Sequence, residues 1–218
     1  MSTDPLGEDI NLDQGIEVTS ENYESFLIST IIPQLKAGRP NWDAPHTLAV
    51  VHHIKQIIDS LPNASEIDRV VLIIAAYCHD WGYTRLFANG QVVASYDDIK
   101  KQKELHMKIG AEKTAKLLEK FTFLTAKQKE RIIHLVSVHD KVEELIDLDE
   151  ILLMEADTLG AVDSSLVTPT FDKPSYIRYI AATRQNRISR FRSEYSKSNV
   201  ERMIATRMEY YENHSGEN

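Results

Sequence analysis

The sequence predicts an all-α fold in a single helical domain, and three observations carry that expectation. Apolar residues recur at the helical spacing of three to four in nearly every long segment. Residues that start helices, such as Ser20, Pro45, Ser65 and Thr125, stand just ahead of those periodic runs. The composition is that of one ordinary globular domain: 218 residues, 42% hydrophobic and 27% charged, with no repeat, low-complexity tract or internal linker.

Residues 1–19 carry no periodicity and are expected to form a flexible tail ahead of a domain spanning 20–213. Ser20 is expected to cap a helix reaching Leu35, with Phe26, Leu27, Ile31 and Leu35 apolar and Pro33 near its end. AGRPNWDAP at 37–45 reads as a loop, and Pro45 then suits the first turn of a helix running to Leu61. Ser65 is expected to cap SEIDRVVLIIAAYCHD. The β-branched residues between Val70 and Cys78 make a buried strand the competing reading there. Helix is preferred for its capped first turn and its length.

The polar stretch 84–100 reads as a loop, either a flap with Gly90, Asp97 and Asp98 or a variable surface segment. Amphipathic helices follow at 104–121, 125–141 and 147–163. In the first of these Leu105, Ile109, Ala115, Leu117 and Leu118 lie near one side. In the last, Leu152, Leu153, Ala156 and Leu159 are expected to face the core. A long helix, with room for a break, covers 175–212.

The net charge of −8 argues against a protein that mainly grips nucleic acid through its phosphates. The arginine-rich stretch TRQNRISRFR at 183–192 reads as a solvated helix face. No secretory signal and no membrane-length apolar run is visible, so a cytoplasmic protein without a membrane partner is expected. The single cysteine, Cys78, excludes a disulfide scaffold and reads as a small buried hydrophobe.

AAYCHDWGY at 75–83 poses the chemical question, because an apolar run ends on an ionisable pair. A buried charge is costly unless it is paired, hydrogen-bonded or bound to a metal. Eight histidines are present, at positions 46, 52, 53, 79, 106, 134, 139 and 214. His46 opens the helix before this run, and Asp157 sits inside the apolar helix ILLMEADTLGAVD. Imidazole and carboxylate ligands together suit a divalent ion such as Mn, Fe, Ni, Zn or Mg.

The order His46…His79-Asp80…Asp157, carried by PHTLAVVHHI, VVLIIAAYCHDWG and LLMEADTLGAVD, resembles the H…HD…D signature of the HD superfamily of metal-dependent phosphohydrolases. The resemblance covers residues 40–165. It implies an all-helical fold, with His46, His79, Asp80 and Asp157 holding a divalent metal. It also implies that Asp80 bridges to a second ion where there is one. HMKIGAEKTAKLL and IIHLVSVHDK resemble segments that carry two further histidines. By that likeness His106 and His139 are either ligands of a second ion or groups facing the substrate phosphate, where they join Asp80 as catalytic residues. His134 is expected to be structural, His53 a minor candidate, and His52 and His214 outside the site.

Many members continue HD-x-G-Lys, with a lysine that helps hold phosphate, whereas this chain has Tyr83. Arg85 or Lys141 is expected to supply that cation. Trp81 and Tyr83 either line a base or sugar pocket or pack the helix end. The expected activity is hydrolysis of a nucleotide or other small phosphate ester, using one or two divalent ions, in a chain that is a candidate homo-oligomer. The alternatives are a di-iron oxygenase on the same ligands and a non-catalytic metal-binding regulatory module. Retention of all four signature positions argues against the latter.

Overall fold

The computed structural model describes residues 17–36, 38–87 and 95–213, and the Arg85 side chain, the residues of the expected flap at 88–94 and His214 lie outside that description. The described residues form an all-α architecture. The helices are α1 (Tyr23–Lys36), α2 (Asp43–Ser60), α3 (Arg69–Cys78), α4 (Tyr96–Lys101), α5 (Lys103–Leu118), α6 (Ala126–Val138), α7 (Leu148–Val162), α8 (Lys173–Asn186) and α9 (Glu194–Asn213). Short 3₁₀ turns lie at Ala64–Glu66, Trp81–Arg85 and Ile188–Arg190.

Local chemistry sets most of these boundaries. Thr125 caps α6 as expected: its hydroxyl accepts from Gln128 N at 3.2 Å, and Gln128 Oε1 returns the bond to Thr125 N at 2.9 Å. Asp172 caps α8 by accepting from Ser175 N at 2.7 Å, with Pro174 in the first turn. Residues 175–212 are therefore not one helix but two, separated by the 3₁₀ turn Ile188–Arg190.

Three expectations need correction. Ser65 lies within a separate 3₁₀ turn, and Asp68 caps α3 instead, accepting from Val71 N at 3.1 Å. The segment 84–100 is not all loop, since α4 forms at its end. Asp97 and Asp98 in its first turn and Lys100 and Lys101 in its last suit the helix dipole. Finally, Leu105 is 45% exposed, because α5 buries His106, Gly110, Lys113, Thr114 and Leu117 instead. Polar residues with internal partners occupy that face, so hydrophobicity alone misplaces it. Val18, inside the expected tail, is buried and bridges Phe121.

The core forms around α2, α3 and α7. Leu152, Leu153, Ala156 and Leu159 are all fully buried, as their spacing requires. Two glycines permit the closest helix contacts. A Cβ on Gly160 would stand 2.7 Å from Val50 Cγ2, so the residue lets α7 lie against α2. A Cβ on Gly82 would stand 1.9 Å from His106 O, so the turn after α3 can press onto α5 only without a side chain. Gly82 thus serves close packing as well as ending the helix. No helix among the described residues is long and apolar enough to cross a membrane.

Candidate metal centre

Five elements deliver six side chains to one point. His46 comes from the first turn of α2, and His79 and Asp80 follow the end of α3. His106 lies in the first turn of α5, His139 just after α6, and Asp157 within α7. All six are buried or nearly so.

The atoms fall into two groups that could each hold a metal ion: His46, His79 and Asp157, and Asp80, His106 and His139. In the first, His46 Nε2 is 3.1 Å from Asp157 Oδ1 and 3.3 Å from His79 Nε2. In the second, His106 Nε2 is 3.2 Å from His139 Nε2. Asp80 joins the two groups. Its Oδ2 is 3.6 Å from both His46 Nε2 and His79 Nε2. Its Oδ1 lies 3.5 Å from His106 Nε2 and 3.6 Å from His139 Nε2.

The tautomers fit a cation. His79 Nδ1 donates to Ala76 O at 2.8 Å, and His139 Nδ1 donates to Val136 O at 2.9 Å. His106 Nδ1 reaches Gln102 O at 3.3 Å. Each bond fixes the proton on Nδ1 and turns the Nε2 lone pair toward the centre, the arrangement that orients metal-bound imidazoles. His46 Nδ1 has no partner among the described residues, so this ring alone is oriented only by its Nε2 contacts and by Trp42 stacked 5.3 Å away.

Electrostatics point the same way. Burial favours the neutral acid at Asp80, but His79, His139, Arg39 and His106 outweigh it and hold the carboxyl well below the usual carboxylate range. At Asp157 the opposing influence is Arg187 followed by His46, again with the carboxyl depressed. Burial lowers His79, and it lowers His106 to about 4, so these rings are neutral near neutral pH. His139 goes the other way: burial lowers it, yet the neighbouring carboxylates of Asp80, Asp140 and Asp157 raise it overall. The centre attracts positive charge.

Three residues with no assigned role in the sequence belong to the site. Arg187 Nη1 donates to Asp157 Oδ2 at 2.6 Å, and its Nη2 donates to Asp140 Oδ1. The expected solvated face at 183–192 therefore needs correcting at Arg187, which turns inward. Asp140 repeats the His-Asp dipeptide of Asp80, a signal that was present but ambiguous. Arg39 Nη2 lies 3.2 Å from Asp80 Oδ2, and nothing in its loop context marks it.

A cavity of about 540 Å³ opens on the centre through His46, Asp80 and Asp157. Tyr83 and Lys141 line it as well, as do Trp42, Tyr96, Phe171 and Tyr179. His79, His106 and His139 lie behind that surface. Trp81 does not line it: its indole donates to Gln34 Oε1 at 3.0 Å and carries the Lys113 ammonium 4.2 Å from its ring, so packing is its role. The remaining histidines are engaged elsewhere or outside the cluster. His134 pairs with Glu150 at 2.7 Å, and His53 lies 3.2 Å from Asp163, while His52 is exposed.

No curated protein and no solved structure matches the chain. A model of the HD domain matches residues 44–162, a span that covers more than half of the 218 residues and holds all six clustered side chains. The chain belongs to the HD domain family.

Proposed function

We propose that the chain is a metal-dependent phosphohydrolase acting on a nucleotide or other small phosphate ester. HD domains are mostly metal-dependent hydrolases, and the donor set here fits divalent ions. The observation that carries the reading is the division of Asp80, with one oxygen toward each histidine pair. In this reading His46, His79, Asp80 and Asp157 hold one ion, and Asp80, His106 and His139 hold another. Neither His106 nor His139 lines the cavity, which favours the ligand role over direct proton transfer to substrate.

Divalent ions held there would supply Lewis acidity toward a phosphoryl oxygen and would lower the pKa of a water. The chain's own residues do the rest. Asp80, with one oxygen toward each histidine pair, would hold the ions that position an attacking water. Arg187 locks Asp157 in its rotamer and keeps it ionised. Four carboxylates, on Asp43, Asp80, Asp140 and Asp157, outnumber the guanidiniums of Arg39 and Arg187, so the cluster recruits cations before it recruits phosphate. Tyr83 keeps its phenol protonated, because burial and Asp80 raise it well above its ordinary value, and offers a donor at the cavity wall. Lys141, whose ammonium is 3.9 Å from Glu144, steers the phosphate at the rim.

The cavity wall supports a leaving alcohol that carries an aromatic base. Phe171 lies 6.0 Å from Trp42, 6.1 Å from Tyr179 and 6.3 Å from Tyr96, and all four line the cavity. Flat rings held this way accept a base by stacking. The test is phosphate release from nucleoside phosphates beside glycerol phosphate, each with added divalent metal. Faster release from the nucleotides is expected, and no release from any ester contradicts the reading. Asp80 shared between two histidine pairs also fits a two-iron oxygenase, and oxygen consumption without phosphate release would favour that second reading.

A further inference from the structure

Two guanidiniums face the metal end of the cavity, and they differ in what they have left to give. Arg187 is occupied: Nη1 serves Asp157 and Thr158, and Nη2 serves Asp140. Arg39 is not. Its Nε donates to Asp43 Oδ1 at 2.5 Å and its Nη2 to Asp80 Oδ2 at 3.2 Å. Its Nη1 has no acceptor among the described residues, and it is not one of the buried polar atoms sealed from solvent. Arg39 lines the cavity beside His46, Asp80 and Asp157.

The guanidinium is also held rigidly. Asp43 grips both ends of the residue, since its Oδ2 accepts from Arg39 N at 2.6 Å while Oδ1 takes Nε. Arg39 Cζ lies 4.0 Å from the Tyr83 ring centroid, and Tyr83 in turn stacks on His106 at 4.0 Å with 9° between planes. A guanidinium on a ring face, pinned by a carboxylate at one edge, presents its remaining edge in a fixed direction. Tyr83 therefore supplies no cation itself but carries one on its face.

We infer that Arg39 is the phosphate-holding cation of the site, with Nη1 donating to a non-bridging oxygen of the phosphoryl group held over Asp80. The inference rests on the phosphohydrolase reading. Arginine suits the task because its planar fork can hold Asp43, Asp80 and a phosphate oxygen at once. A lysine offers a point charge and cannot span all three.

The test is calorimetric binding of inorganic phosphate to the metal-loaded full chain, with metal content measured on the same samples. Wild type, Arg39→Lys, Arg39→Gln and Asp43→Asn are compared. Asp43→Asn keeps Arg39 and every proposed ligand while loosening the clamp, so it covers the case in which an Arg39 variant fails to fold. Expected are wild-type metal content, phosphate affinity weakened about 10- to 100-fold in the Arg39 variants and a smaller loss in Asp43→Asn. Metal-replete variants that bind phosphate as tightly as wild type would overturn the role of Arg39 and leave the hydrolase reading standing. Metal-replete wild type that binds no phosphate would overturn both.

Discussion

The Nε2 atoms of His106 and His139 face each other across 3.2 Å, while each ring's Nδ1 is directed at a backbone carbonyl. Two lone pairs do not rest that close without a proton or a cation between them. Together with Asp80 Oδ1 at 3.5 and 3.6 Å, they form a second group that could hold an ion, beside the group that opens on the cavity. On this account His139→Ala lowers the metal content of the loaded chain from about two ions to about one, since the first group of ligands is untouched. Elemental analysis after removal of free metal reads the number directly, and an unchanged content would show that the second site does not hold an ion.

Arg187 joins Asp157 to Asp140 with both ends of its fork. Its removal takes the guanidinium from Asp157 and from the half-buried Asp140, leaving them only their histidine neighbours. Arg187→Met is expected to cost about 3–5 kcal/mol in urea unfolding of the chelated protein. Divalent metal should recover part of that loss, because an ion beside Asp157 replaces the missing positive charge. A variant as stable as wild type without metal would show that the pair contributes nothing.

Gly82→Ala places a methyl 1.9 Å from His106 O and 2.8 Å from Gly110 N, both backbone atoms that cannot rotate away. A loss on the order of 4 kcal/mol is expected, with metal loading impaired because His79, Asp80 and His106 shift together. Gly110→Ala is the milder comparison: its nearest contact is Val136 Cγ1 at 3.3 Å, and its nearest backbone contacts stand at 3.5 Å. Equal midpoints for the two variants in denaturant would contradict the packing argument.

At Asp163 burial favours the neutral acid, but His53 and the hydrogen bonds from Ser165 outweigh it and hold the carboxyl at about 2. An unfolded aspartate titrates near 3.9, approximately. The folded state therefore binds this proton less readily than the unfolded chain. Its stabilisation is fully present above pH ~4 and is lost as pH falls toward 2, by on the order of 1 kcal/mol after solvent screening. Stability measured across that range should show a shallower acid limb in Asp163→Asn, and identical limbs would remove Asp163 from the account.

Much of this was legible in the sequence, and the exceptions share a cause. The helices follow from apolar spacing and caps such as Thr125, both of which act over three or four residues. His79, Asp80 and Asp157 stand out because ionisable residues interrupt or end apolar helices, and the resemblance to the HD signature adds His46 to them. Arg39 and Arg187 do not stand out. One lies in a loop and the other in an arginine-rich run, and only folding brings them 41 and 30 residues along the chain to Asp80 and Asp157. Apolar spacing marks only part of the buried face of α5, Leu117 and Leu118, for a related reason. His106, Lys113 and Thr114 are inside because each finds a polar or charged partner there, such as Gln34 at 3.1 Å from the Lys113 ammonium. Hydrophobic spacing carries no record of such partners.

The central claim is metal-dependent hydrolysis centred on Asp80, and one measurement tests it most directly. Phosphate release from a nucleoside phosphate is followed with chelated chain, then after addition of Mn²⁺, Fe²⁺, Ni²⁺, Zn²⁺ or Mg²⁺, beside Asp80→Ala treated identically. The account predicts no release without metal, release restored by at least one of these ions, and release at least about 100-fold slower in the variant. Release that persists in chelator, or that Asp80→Ala retains in full, would contradict it.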